Sequence, residues 1–398
     1  MENKNVIKRA VKHQRNWFGK WHTWAGITAG FVLIIVSLTG SLLVFEQELD
    51  VLFYPELFDF ESTKNEPMTF EEALLLVQRE MPEINARGVY KQKDRANALM
   101  LYSDEEPYPQ IIIDPYRGEI RGSRVYKNTI MGFIRNFHRT LLIPAAGRYI
   151  VGISSLVCVI LMITGLRLWI PKKWREWNHL KARMSVKWDG SRKRINFDLH
   201  NTLGFFFAPF ITLIAITGVM ITFSTVVIGV LFLLNFRPPE DVVKLLNQQS
   251  TYVADVRTLT VPEVERIVQE LYPEATITGI NIPKDSLAAF SVNMNIESTM
   301  RTGDVSFVSI DQYSGEKIFS SNDPLYKMGK AYTNWVTPLH YGTFGGLKTR
   351  IIALLASLVN AALFITGFII WIPRWRKQQK SRAKAAAKAA EKSKLQNA

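Results

Sequence analysis

Four long apolar runs divide the chain, at about residues 23–46, 149–170, 201–234 and 350–372. Each reaches the roughly 20 residues that a helix needs to cross the hydrocarbon core. The third is longer than one crossing requires and is expected to tilt or project beyond the bilayer. The long intervals after the first and third runs read as soluble protein. In the first interval, Thr69-Phe70-Glu71-Glu72-Ala73-Leu74-Leu75-Leu76-Val77 predicts an amphipathic helix with Thr69 as its cap and Glu72 at the third position, stopped by Pro82. Strand-like stretches follow at about 97–103 and 109–113, and Asp114-Pro115-Tyr116-Arg117-Gly118-Glu119 predicts a turn.

The same order of features returns later. Residues 259–274 match 68–83 with a shift of 191, and Asp311-Gln312-Tyr313-Ser314-Gly315-Glu316 repeats the earlier turn. His22 opens the first run and His200 the third; a Gly follows each by four positions (Gly26, Gly204) and a Thr-Gly pair by seventeen (Thr39-Gly40, Thr217-Gly218). His138 and His340 precede the second and fourth runs, followed at equal offsets by Arg148 and Arg350, Thr164 and Thr366, and Trp169-Ile170-Pro171 and Trp371-Ile372-Pro373. So many shared offsets point to duplication.

The expected fold is an α-helical integral membrane protein with four transmembrane helices in two parallel tandem repeats, plus two small α+β extracytoplasmic modules. The expected boundaries are an interfacial segment 1–20, a first span 21–46, a first module 47–130, a pre-helix and second span 131–171, and a basic loop 172–197. A third span 198–234, a second module 235–330, a pre-helix and fourth span 331–373, and a basic tail 374–398 complete the chain.

Charge orients this arrangement. The net charge is +14, concentrated before the first run, between the second and third, and after the fourth. With four crossings these segments share one side, and the positive-inside rule makes both termini cytoplasmic. Topology therefore accounts for the basic balance, and nucleic acid is not an expected partner; the lipid bilayer is. The N-terminal run is too long for a secretory h-region and reads as a retained span. The single cysteine, Cys158, excludes an intrachain disulfide and a cysteine-built cluster, and reads as a small buried apolar residue.

The four symmetric histidines are the candidate chemistry. Parallel repeats are normally related by a pseudo-twofold axis along the membrane normal. If His22 faces that axis, so does His200, and His138 and His340 form a second pair nearer the external end. One imidazole from each of two helices supplies two axial nitrogens. Haem brings its own equatorial nitrogens and wants that complement, whereas zinc wants about four ligands, or three and a water. No Cys-x-x-Cys-His occurs, so attachment would be non-covalent and b-type. Gly26 and Gly204 would let a flat macrocycle approach the helices, and Arg148 and Arg350 are candidates for its propionates or for interfacial anchoring. The Thr-Gly pairs of all four spans read as close-packing positions. His13 and His179 read as surface residues.

These features, with the His-x-x-x-Gly heads, the Trp-Ile-Pro exits and the two modules, resemble the PepSY-associated transmembrane-helix family from about residue 15 to 377. Members resembling this architecture include bacterial inner-membrane reductases that carry two b-type haems and reduce ferric siderophores. The resemblance implies a membrane-bound, haem-dependent oxidoreductase with His22, His200, His138 and His340 as axial ligands. Its acceptor would be a ferric siderophore or another extracytoplasmic molecule. No Gly-x-Gly-x-x-Gly follows a strand and no P-loop is present, so the expected donor is a quinol or a separate reductase. The competing class is a membrane-anchored sensor or regulator whose modules bind peptide or protease. A metal transporter would need more polar groups in the spans than these runs contain.

Overall fold

A computed structural model describes the chain apart from Met1 and residues 61–65, 93–96, 235–246, 297–304, 322–334 and 397–398; for 2–15, 232, 305 and 388–396 only the backbone is described. The expected limits of the second module, at 235 and 330, lie outside the described residues, as does the side chain of His13.

Among the described residues, four helices contain segments long and apolar enough to cross a membrane: Asn16–Leu43, Gly147–Trp169, Arg192–Thr222 and Thr343–Ala387. The expected interfacial segment and first span form one helix, Glu2–Leu43, because no proline interrupts them. The over-long third run is resolved by a break rather than by one long helix. The third span ends at Thr222 and a new helix runs Ser224–Leu234; hydroxyl side chains at 222, 224 and 225 compete for backbone bonds there. The two Trp-Ile-Pro exits behave differently. Ile170 caps the second span just before Pro171, whereas the fourth helix, Gly346–Gln396, continues through Pro373 into the basic tail.

The chain divides into two compact units, one of Met1–Ser41, His138–Val219 and Ile352–Ala398, the other of Leu42–Phe137 and Met220–Ile351. The first is a four-helix unit. All four spans contribute to its core: Ala29 and Leu33, Cys158 and Leu161, Ala208 and Ile211, Ala356 and Phe364. Cys158 is buried but not confined to apolar contacts. Its Sγ lies 3.8 Å from Asn360 Oδ1, and Asn360 Nδ2 donates to Ser37 Oγ at 2.9 Å. An amide in an apolar bundle must find partners, and here it ties three spans together.

The second unit is built on a sheet. Its strands are β1 (Ala86–Gln92), β2 (Ala98–Ser103), β3 (Pro109–Asp114), β4 (Glu119–Val125), β5 (Ala275–Asn281), β6 (Phe290–Ile296), β7 (Val305–Ile310) and β8 (Lys317–Ser320). Thr69 and Thr260 cap helices Phe70–Glu80 and Val261–Leu271 with reciprocal capping boxes to Glu72 and Glu263. Both helices pack on one sheet face, against Val89, Leu99, Leu101, Ile280, Val292 and Val308. On the other face Ala98, Met100 and Ile112 meet Phe58. β2 and β3 are therefore buried on both sides, so their sequences are nearly continuous apolar runs.

In place of two separate sheets, the structure has one antiparallel eight-stranded sheet, ordered β4-β3-β2-β1-β5-β6-β7-β8. The join is the pairing of Gly88, Val89 and Tyr90 with Asn281, Ile280 and Gly279. Tyr90 packs against Gly279, where an added Cβ would come 2.2 Å from the Tyr90 ring.

Three acids after the first span each hold a cation in this unit. Glu46 pairs with Arg135 and accepts from Tyr126; Glu48 pairs with Arg350; Asp50, fully buried, takes both terminal nitrogens of Arg124 at 2.9 and 2.6 Å.

Gly279→Ala is expected to destabilise the protein by about 1–3 kcal/mol, the usual cost of overpacking, because the new methyl meets the Tyr90 ring. The thermal midpoint of the purified protein in detergent measures it. Adding Tyr90→Ala should recover part of the loss, and an unchanged midpoint in the single variant would contradict the β1–β5 join.

Candidate functional site

The site lies within the four-helix unit, where the first and third spans begin. His22 and His200 approach each other with ring centres 6.4 Å apart and planes at 83°. Each ring is held from behind by the helix that closes its half of the sequence. His22 Nδ1 lies 3.0 Å from Thr164 Oγ1 on the second span, and His200 Nδ1 lies 2.9 Å from Thr366 Oγ1 on the fourth. Backbone bonds to Leu161 and Leu363 accompany them. Each threonine hydroxyl gives its one proton to a carbonyl in its own helix, Thr164 to Ile160 at 2.7 Å and Thr366 to Ala362 at 2.8 Å. Its oxygen is then an acceptor toward the imidazole. A carbonyl can only accept. Both neighbours therefore require the proton on Nδ1 and leave Nε2 with a free lone pair.

The glycine after each threonine completes the seat. A Cβ at Gly165 would come 3.2 Å from His22 Cε1, and one at Gly367 3.5 Å from His200 Cε1. Asn196, one turn before His200, donates to the Thr366 carbonyl at 3.1 Å and binds the third span to the fourth at this level. Asp198, buried, receives Arg194 Nε at 2.7 Å and the Lys187 backbone N–H at 3.3 Å, which anchors the entry to the third span.

The two imidazoles border a cavity of about 920 Å³, the size of a site for a large organic cofactor. Its walls include Leu161, Phe364 and Phe368, with Trp169 stacked on Phe205 at 4.0 Å. Lys20, Arg183 and Arg374 stand among its lining residues. Among the described residues, no group of three or more His, Cys, Asp or Glu side chains gathers as a metal cage.

These features fit a haem. The two rings stand 6.4 Å apart beside the cavity, both tautomers offer Nε2, the walls are largely apolar and aromatic, and the cations suit carboxylate substituents.

The structure brings His22 and His200 together with Gly26 and Gly204, which line the same cavity and face Leu161 and Leu363 at ordinary contact distance. His138 is seated in the same manner as the first pair. Its Nδ1 lies 3.0 Å from the Val36 carbonyl and 3.1 Å from Thr39 Oγ1, and a Cβ at Gly40 would come 3.0 Å from its Cε1. It sits on a separate helix, Ile130–Thr140, and the chain turns sharply through Leu141, Leu142 and Ala145, all at positive φ, before the second span. Gly147 is required at that turn because a Cβ there would fall 1.7 Å from the Thr140 carbonyl oxygen. His340 lies on a short helix over 335–341 in the other unit, 5.9 Å from the Tyr341 ring. Arg148 is exposed at the head of the second span. Arg350 takes the anchoring role: it donates to the Val44 carbonyl at 3.1 and 2.8 Å, pairs with Glu48, and lies 4.5 Å over the Phe45 ring. His179 is exposed beside Glu176, at 3.2 Å.

The sequence reading missed Thr164, Thr366, Gly165 and Gly367 as parts of the site. It noted the Thr-Gly pairs but assigned them to packing. Three of the four pairs instead seat an imidazole. The cations at the cavity were counted as topological charge alone.

Four membrane-length helices enclosing a histidine-bordered cavity define an α-helical membrane protein. The chain belongs to the PepSY-associated TM region family, which matches residues 20–374. No curated protein matches the chain.

The bidentate Arg350 pair holds the Glu48 carboxyl below the usual carboxylate range. A depressed folded-state pKa stabilises above the unfolded value and is lost as pH falls through the folded one. Arg350→Gln should therefore lower the thermal midpoint at neutral pH and flatten its decline below about pH 4.5, the unperturbed value. An acid limb identical to that of the parent protein would contradict the pair.

Proposed function

We propose that this protein is a di-haem, b-type transmembrane electron carrier that reduces an extracytoplasmic acceptor. What supports the reading most is the opposition of two imidazoles from different spans, with Nδ1 hydrogen-bonded and Nε2 available, beside a cavity of cofactor size. His22 and His200 hold the first haem. Sequence equivalence assigns His138 and His340 to the second, and the seat of His138 on Thr39 and Gly40 supports that choice.

Haem, when bound, supplies reversible one-electron exchange. The chain does the rest. His22 and His200 would hold the group through Nε2, the wall of Leu161, Phe205, Phe364 and Trp169 would limit water, and Lys20, Arg183 and Arg374 would offer charge to its carboxylates. Two carriers divide a hydrocarbon core of about 30 Å into shorter steps. By the family resemblance the acceptor is a ferric siderophore. One electron converts its Fe(III) to Fe(II), which hard oxygen ligands hold more weakly, so the metal is released. The electron comes from a quinol or a separate reductase. The basic segments support a reading with both termini in the cytoplasm at a bacterial inner membrane and the segments that build the sheet outside.

The purified protein from haem-replete membranes is expected to show the absorbance of low-spin, bis-histidine b-type haem, with two haems per chain. His22→Ala or His200→Ala should each remove the same haem, and His138→Ala or His340→Ala the other. A crossed pattern would refute the pairing. A colourless, folded protein would refute the redox reading and leave a membrane-anchored sensor.

A further inference from the structure

The Thr-Gly pairs are the one repeated motif for which the electron-carrier reading itself has no use. Three of them do the same thing. Thr164-Gly165 faces His22, Thr366-Gly367 faces His200, and Thr39-Gly40 faces His138. In each, the threonine oxygen lies 2.9–3.1 Å from Nδ1, and in each the hydroxyl donates to the carbonyl four residues back in its own helix. In each, the ring's Cε1 edge faces the glycine, 3.0 Å from a Cβ at Gly40, 3.2 Å at Gly165 and 3.5 Å at Gly367. A side chain that merely lets two helices approach needs neither a directed hydroxyl nor an imidazole opposite it.

We propose that Thr164 and Thr366 are positioning residues that hold His22 and His200 as Nδ1–H tautomers with Nε2 turned to the metal, and thereby set how tightly the haem is held and at what potential it works. This rests on the haem reading of the cavity. The physical logic is that of any metal-bound imidazole: the hydrogen bond on the far nitrogen fixes the tautomer, the ring plane and the basicity of the ligating nitrogen. The acceptors here are neutral, a hydroxyl and a carbonyl. They keep each ligand a neutral imidazole rather than drawing it toward imidazolate, as a carboxylate would. The glycine fixes how near the ring lies to the seat. The seat also links the two spans of each half of the sequence in a regular way. The histidine that opens one span is held by the span that closes the same half, His22 by Thr164 and His200 by Thr366.

The test uses the full-length protein, stripped of haem and then titrated with haem. Valine at 164 or 366 keeps the branched shape and removes the acceptor; serine keeps the acceptor. Thr164→Val and Thr366→Val should each weaken haem binding about 10–100-fold, the range seen when an outer-shell partner of a metal-bound histidine is removed. Each should also shift the midpoint potential of that haem and its low-spin electron paramagnetic resonance signal. Thr164→Ser and Thr366→Ser should restore all three. Thr28, whose hydroxyl bonds only carbonyls of its own helix, is the control, and Thr28→Val should change none of them. If a valine variant does not fold, Thr→Ala removes the same hydroxyl without leaving a methyl against the ring. Unchanged affinity, potential and resonance in the valine variants would overturn the proposal. So would a loss that serine fails to restore, because the role would then be packing. A parent protein that binds no haem at all is a different result, and it would overturn the haem reading itself.

Discussion

An imidazole in an apolar helix bundle has two polar ring nitrogens and no water to satisfy them. An unpaired polar group in such surroundings costs on the order of 1–3 kcal/mol, so each nitrogen needs a partner. In His22 and His200 one nitrogen is satisfied by a threonine on another span. The other borders a cavity. That division shapes the unit around it: it brings the first span to the second and the third to the fourth, with a glycine beside each threonine where the ring edge approaches. Helix packing elsewhere in the bundle relies on small residues such as Ala29, Ala208 and Ala356, which allow close approach but specify no register. The histidine seats do specify it, since a helix shifted by one residue would lose both the hydroxyl and the gap.

The sheet unit meets the same requirement with charge. Asp50 is fully buried, and Arg124, 9% exposed, answers it with both terminal nitrogens while lying against the rings of Tyr54 and Phe58. Removing one member of such a pair leaves the other charged and stranded, typically at a cost of 3–5 kcal/mol. Glu46 and Glu48 repeat the arrangement nearer the surface. Three acids at alternate positions of one short segment thus each hold a cation within the unit, Arg124 on an edge strand, Arg135 and Arg350.

Much of this was legible in the sequence where the signal is local or periodic. The four spans follow from run length, and Thr69 with Glu72 announces a helix start because both halves of a capping box lie within four residues. The turn at Asp114 is legible for the same reason, since Asp114 Oδ1 accepts from the Tyr116 and Arg117 N–H groups. The opposition of His22 and His200 follows from equal offsets and symmetry. What was not legible depends on partners far apart in the chain. The β1–β5 join needs a tyrosine to find a glycine 189 residues later, and no composition cue marks Gly279 for that purpose. Arg350 was open to two roles until Glu48 came within reach. The break at Phe223 lies inside an apolar run that hydropathy alone reads as continuous.

The Thr-Gly pairs fall between these cases, and they show how a motif can be seen and still be misread. Small residues recurring in spans are usually sites of close approach, and nothing in a single pair contradicts that. The decisive information was in the spacing between motif and histidine across the whole half-sequence: 142 residues from His22 to Thr164 and 166 from His200 to Thr366. These separations differ because the intervening modules differ in length, so a search for one fixed offset from the leading histidines misses the relation. The shorter offset from His138 and His340 to those threonines is constant, but it links each threonine to a histidine other than the one it holds. The parts recur in the same order, while the hydrogen bonds that make a site of them run between the opening and closing spans of each half.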